Sequence, residues 1–146
     1  MVNSLGWTYR EPFFRSVSRN YRIWLFLGGP GRTAVPGWEL PYLAGHTVVD
    51  TGSAGMMLAA ARRLIADGET VAGILCYDEA RLVASATVAR ALGLPTSDPE
   101  AFARCRDKAA TRAALAEAGV PQTACVAVGF LAEAEAAPRG STRNSS

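Results

Sequence analysis

Of the 15 basic residues in this 146-residue chain, 14 are arginine and one, Lys108, is lysine. An ammonium on a flexible stem is a compact point charge that ligates phosphate, and a guanidinium does not replace it isosterically. Lys108 follows Asp107, a residue type that caps helices, and so stands where the helix dipole disfavours a cation. It is either a phosphate ligand beside helix N–H groups or a solvated lysine paired with Asp107 or Glu117. The second candidate is Asp78-Glu79, which closes the apolar run 71–77 (VAGILCY). Open α/β sheets bind ligands at the carboxyl ends of their strands. Glu79 there can orient a substrate or an ammonium group. In the alternative, Asp78 caps the next helix and Glu79 complements its dipole.

Other stretches carry less chemistry. The run 28–32 (GGPGR) follows an apolar segment and can admit a phosphate. Pro30 removes a donor, however, and the dinucleotide fingerprint is incomplete, so a tight turn at a sheet edge is the commoner role. Asp50 ends HTVVD, where it can hold a ribose or cap the following turn. The GSAG at 52–55 lacks the spacing of a nucleophile elbow. The only histidine is His46, which leaves neither a triad nor a zinc set. No catalytic residue and no metal ligand is assigned.

The elements that must position these groups read as strand–helix alternation. Residues 21–27 (YRIWLFL) predict a buried strand, and 46–50 a short second one. Thr51 or Ser53 opens a helix to about 67, with Met57, Ala61, Leu64 and Ile65 on one face and Gly68 as its stop. The run 71–77 predicts a central strand, followed by a helix over 80–92 that is apolar except at Arg81, Ser85 and Arg90, and closed by Gly93. Ser97 or Asp98 caps a short helix over 99–105, with Pro99 at its first position. Asp107 caps another to about 118. Gly119 ends that helix, Pro121 prevents continuation, and 123–128 (TACVAV) predicts a further strand. Residues 130–137 predict one or two helical turns. Together these give an α/β, Rossmann-like fold: a mainly parallel sheet, about four strands, with helices on both faces.

The order from 71 to 128 resembles the N-terminal region of ATP-grasp ligases, both biotin carboxylase-like enzymes and carboxylate–amine ligases. It runs as a strand ending in YDE, a helix, LGLPTS, a short helix, RDK, an amphipathic helix, AGVP and a strand. In that family a DK lysine contacts the nucleotide phosphates, and a small Gly-Val-Pro turn follows about a dozen residues later. Asp107-Lys108 and Gly119-Val120-Pro121 occupy those places. The resemblance implies a pre-ATP-grasp domain, binding of ATP with magnesium, and ADP-forming ligation in which a carboxylate is activated as an acyl phosphate for attack by an amine. The implied substrate is a small carboxylate or an amino acid. The family's second ATP lysine, glycine-rich loop, adenine hinge and magnesium carboxylates have no counterpart here. The expected function is therefore that of an N-terminal ligase fragment, inactive alone. Two alternatives stand beside it: a standalone nucleotide- or small-ligand-binding module, and half of a two-chain ligase, as a homodimer or with a partner chain supplying the ATP-grasp half.

The expected organisation is a basic N-terminal arm over 1–20, the Rossmann-like domain over 21–121, the start of an ATP-grasp domain over 122–137 and a disordered tail over 138–146. In residues 1–22 Arg10, Arg15, Arg19 and Arg22 stand against Glu11 alone, a net +3. That arm is a leader, a surface-packed extension, or a contact for RNA or a membrane surface. The net charge of +2 is too small to argue for nucleic acid as a partner. The candidate span, the apolar run 23–27, falls far short of the roughly 20 residues needed to cross a bilayer. No membrane association and a cytoplasmic location are expected. Cys76, Cys105 and Cys125 are widely spaced with no C-x-x-C, and predict buried free thiols.

Overall fold

Strand β1 (Ile23–Leu27) explains most of the packing, because its side chains alternate between two apolar clusters. Ile23, Leu25 and Leu27 are buried with Phe14 from helix α1 (Trp7–Ser18), and Trp38 and Tyr42 close over them. Phe26 points the other way, toward Val49, Met57, Ala61 and Val88. The computed structural model describes residues 7–28, 37–123, 126 and 128–136.

The chain divides into two units, Met1–Ala103 and Arg104–Ser146. In the first, β1 pairs in parallel with β2 (Leu43–Val48), and a register shift falls between Ile23 and Trp24. Trp24 lies opposite Gly45, whose missing side chain makes room for the indole: a Cβ there would sit 2.5 Å from the ring. A 3-10 turn (Leu40–Tyr42) leads into β2. Helix α2 (Ala54–Ala66) and helix α3 (Leu82–Ala91) supply the Met57, Ala61 and Val88 side of the core. Helix α4 (Pro99–Arg106) follows, with Asp98 Oδ1 accepting from the Glu100 N–H at 3.0 Å. The second unit holds helix α5 (Lys108–Glu117) and the short helix α6 (Leu131–Ala136).

The helix signals act locally, as expected. Ser53 Oγ accepts from the Met56 N–H at 3.3 Å, and Asp78 Oδ1 accepts from the Ala80 N–H at 3.0 Å. Gly68, Gly93 and Gly119 adopt φ of +96°, +70° and +68°, each directly past a helix end. Residues 79–81, expected as the first turn of the helix over 80–92, form a separate 3-10 turn before α3.

The sheet differs from expectation. Among the described residues it has two strands, which supports an α/β class but not a mainly parallel four-stranded sheet. The run 71–77 forms no strand, and only Cys76 makes an isolated bridge. Ala72 and Gly73 sit mid-run and offer almost no side chain to pack against α2, so the backbone there lacks the burial that holds a central strand. The run is held at its flanks instead. Arg22 donates two bonds to Glu69, at 2.9 and 3.0 Å. Tyr77 meets Phe13 edge-on, with ring centroids 5.4 Å apart, and the Arg10 guanidinium lies 4.3 Å from its ring centroid. In the run 123–128 the described residues Thr123, Val126 and Val128 form no strand, and Val126 and Val128 are exposed. Ala124, Cys125 and Ala127 lie outside the described residues, as do the glycine-rich turn beyond Gly28 and the expected tail.

Within the expected basic arm, residues 7–18 form a helix, and Phe14 is 0% exposed. On the same helix Glu11 accepts from Arg15 Nε at 3.0 Å and from the Tyr42 hydroxyl. Arg15, and after it Tyr42, hold the Glu11 carboxyl below its ordinary pKa, while Glu11 pushes the Tyr42 hydroxyl up. A depressed carboxyl pKa adds stability above the unfolded value, and that stability is lost as pH falls through the folded value. Wild type should therefore lose more of its urea midpoint than Glu11→Gln when the pH is taken from 7 to below about 4. Equal losses in the two proteins would show that the cluster does not bias folding.

Candidate functional site

The residues with expected chemistry fall in different units: Glu79 in the first, Lys108 in the second. Lys108 opens α5 and is exposed. Among the described residues it makes no ion pair with Asp107 or Glu117. The Asp107 carboxylate accepts from the Ala109 and Ala110 N–H groups at 2.9 and 3.0 Å. The N–H groups that would face a phosphate beside Lys108 are therefore engaged by the helix's own cap. Thr111 Oγ1 donates to the Arg104 carbonyl at 2.7 Å and ties this turn further.

Glu79 is exposed in the 3-10 turn (Glu79–Arg81). Its neighbour Asp78 both caps that turn and faces Arg81 at 3.7 Å. Asp50 accepts from the Gly52 N–H at 2.9 Å, which is the turn-capping alternative. Thr51, fully buried, donates to the Gly28 carbonyl at 3.1 Å and thereby joins the carboxyl end of β1 to the start of α2. Asp78, Asp50 and Thr51 are thus engaged in local capping and backbone contacts.

Space lies elsewhere. A cavity of about 750 Å³ opens along β1 between α2, α3 and residues 68–75, the stretch expected to be strand. That volume falls in the range of small-molecule sites. Its walls are mainly apolar and include Trp24, Phe26, Met57, Leu64 and Val88. One buried polar residue belongs to its lining. Ser85, on α3, is 4% exposed, and its Oγ has no hydrogen-bond partner. Thr87 on the same helix shows the usual outcome, donating to the Val83 carbonyl at 2.8 Å. A buried hydroxyl left without a partner costs about 1–3 kcal/mol; this oxygen is also closed off from the open space of the cavity.

No protein-family model and no solved structure matches this chain.

Neither the cavity nor Ser85 was among the expected site residues. A signal existed: Ser85 is a polar residue on the otherwise apolar stripe with Val88 and Ala89, three and four positions on. Such a serine is usually satisfied by its own helix, so the stripe alone does not mark a site. The expected buried thiols are also corrected. Cys105 is exposed on α4, and Cys76 is half-buried, its Sγ donating to the Asp78 carbonyl at 3.4 Å. Cys125 lies outside the described residues. Among the described residues no three His, Cys, Asp or Glu side chains gather as a metal set. None of the helices among the described residues is long and apolar enough to cross a membrane.

Proposed function

We propose that this chain is a small-ligand-binding α/β module whose ligand occupies the cavity beside β1. The observation that carries it is the cleft itself, about 750 Å³ and mainly apolar, with Trp24, Phe26, Met57, Leu64 and Val88 on its walls. Protein interiors are otherwise close-packed and their polar groups paired. In this proposal the unit is a reduced Rossmann-like domain, and 71–77 is its open third strand position. The free thiols of Cys76 and Cys105 accord with a cytoplasmic location.

ATP binding is the second reading. What favours it is the local order that the ATP-grasp resemblance requires: Asp107 capping a helix that opens at Lys108 and closes at Gly119 with φ +68°. Lys108 would then contact the ATP phosphates, Glu79 would orient a carboxylate or amino-acid substrate, and magnesium would be held by carboxylates from another segment or chain. The engaged N–H groups at Asp107 weigh against it.

One titration separates the two. The purified chain is titrated with Nile red, an uncharged apolar dye, and separately with ATP and magnesium. The module predicts saturable one-to-one dye binding that is weakened by Leu64→Trp, whose larger ring narrows the cavity, with the helical circular dichroism unchanged. It predicts no ATP binding. Dye binding unaffected by Leu64→Trp, or none at all, overturns it. Saturable ATP binding lost in Lys108→Ala establishes the second reading instead.

A further inference from the structure

The geometry points to residues 70–77 as a strap over this cleft, which closes by pairing in parallel with the free edge of β1 and in closing expels what the cleft holds. The competition with a ligand rests on the module proposal; the pairing itself does not.

The first ground is that both ends of the strap are held beside the matching ends of β1. Glu69, just before the strap, accepts two hydrogen bonds from Arg22, at 2.9 and 3.0 Å, and Arg22 immediately precedes β1. Past the other end, Arg81 Nε donates to Thr51 Oγ1 at 3.5 Å, and Thr51 donates to the carbonyl of Gly28, immediately past β1. The strap therefore runs in the direction of β1, as a parallel partner must. These anchors set direction more than stability, since the Arg22 side chain is 72% exposed. Between them lie eight residues of strap and five of β1. The extra length lets the strap stand off from β1, and the cleft of about 750 Å³ opens between the two.

The second ground is what strap and strand offer each other. Among the described residues β1 has one sheet neighbour, β2. The Leu27 carbonyl accepts from the Val49 N–H at 2.8 Å and so faces the β2 side. Main-chain groups alternate sides along a parallel strand, so the N–H and C=O of Phe26 face the opposite edge. The strap carries no charged side chain, and its Ala72, Gly73 and Leu75 are exposed. Val71, Ile74 and Tyr77 are residue types that suit a pleated, half-buried surface. Closing covers the open edge of β1 and removes apolar surface from water. Tethered at both ends, the strap meets that edge at a higher effective concentration than a separate peptide does. A paired strap takes up the space in which a ligand would lie, so ligand and closure exclude each other. Nothing stands within 4 Å of a Cβ built on Gly73, which makes it the place to raise strand propensity without disturbing the open form.

Hydrogen exchange at the Phe26 amide reads closure, and titration of the full chain with Nile red reads the open cleft. Without dye, the Phe26 amide should be protected about tenfold or more over the same amide in Gly73→Pro or Ile74→Pro. Successive strap residues alternate in facing β1, so one of the two prolines removes a ladder donor in any register. That variant should bind the dye more tightly by the same factor, because closure lowers the apparent affinity by the fraction of protein that is open. Gly73→Val should move both readouts the other way by about fivefold, the weight of a β-branched residue over glycine in a strand. It carries the test if the proline variants do not fold. Saturating dye should remove the Phe26 protection in wild type. Equal Phe26 exchange in wild type, Gly73→Val and the folded proline variants overturns the strap. Protection that rises with protein concentration also overturns it and assigns the edge to a second copy. If exchange responds but dye affinity does not follow, closure does not exclude the ligand and the competition is wrong. If exchange responds and no dye binds, the module fails while the pairing stands.

Discussion

Replacing Gly28 with alanine should lower the unfolding free energy of the first unit by about 3 kcal/mol or more. Gly28 sits directly after β1, where the chain passes against the residue that follows β2. A Cβ on Gly28 would lie 1.9 Å from the Val49 carbonyl oxygen and 2.6 Å from its carbon. Both are backbone atoms. Val49 cannot yield, because its N–H donates to the Leu27 carbonyl at 2.8 Å and its side chain belongs to the core with Met57, Ala61 and Val88. Thr51 holds the same place from the other side through its bond to the Gly28 carbonyl. Relief requires parting β1 from the chain that follows β2. Gly37→Ala is the control, since a Cβ there meets nothing within 4 Å. Urea unfolding followed by tryptophan emission reads the first unit alone, because Trp7, Trp24 and Trp38 all belong to it. Gly28→Ala with a midpoint equal to that of Gly37→Ala would refute the close approach.

Phe14→Ala is expected to cost about 3–5 kcal/mol, the range for deleting a buried aromatic ring. Phe14 is 0% exposed. Its ring meets Trp38 edge-on, with centroids 5.4 Å apart, and lies 6.5 Å from Tyr42. Beneath it are Ile23, Leu25 and Leu27. The ring is thus the main contact between α1 and the buried face of β1, and its loss opens a void that the rigid strand cannot refill. Domain stabilities run to about 5–15 kcal/mol, so this single change removes a large share. The same urea series measures it. A midpoint shift as small as that of an exposed neighbour, for example Ser16→Ala, would mean that α1 is only laid on the surface.

Both effects depend on contacts that sequence periodicity does not reveal. Residues 1–20 read as a basic arm because Arg10, Arg15 and Arg19 dominate their charge. Phe14 gives no sign there of the surface it meets, since its partners come from β1 and from Trp38, Tyr42 and Leu43. Gly28 read as the first residue of a glycine-rich turn, and the carbonyl of Val49 that excludes its side chain is 21 positions away.

The sequence by itself determined most helix boundaries after residue 50, but neither α1 nor the separate 3-10 turn before α3. Ser53, Asp78, Asp98 and Asp107 cap as their types predict, and Gly68, Gly93 and Gly119 stop the helices. Each of these events involves groups within about four residues, so local chemistry decides it. The sequence also determined that β1 is buried, since five consecutive apolar residues leave no polar face. Pairing was decided only in three dimensions. The run 71–77 is as apolar as a central strand, but apolarity does not supply a partner, and Ala72 and Gly73 leave the adjoining space unfilled. The candidate site follows from that same space. The cavity exists because a strand expected from composition did not close onto β1. Capping is chemistry between sequence neighbours, whereas a cavity is the volume that distant segments fail to fill, and only tertiary packing defines it.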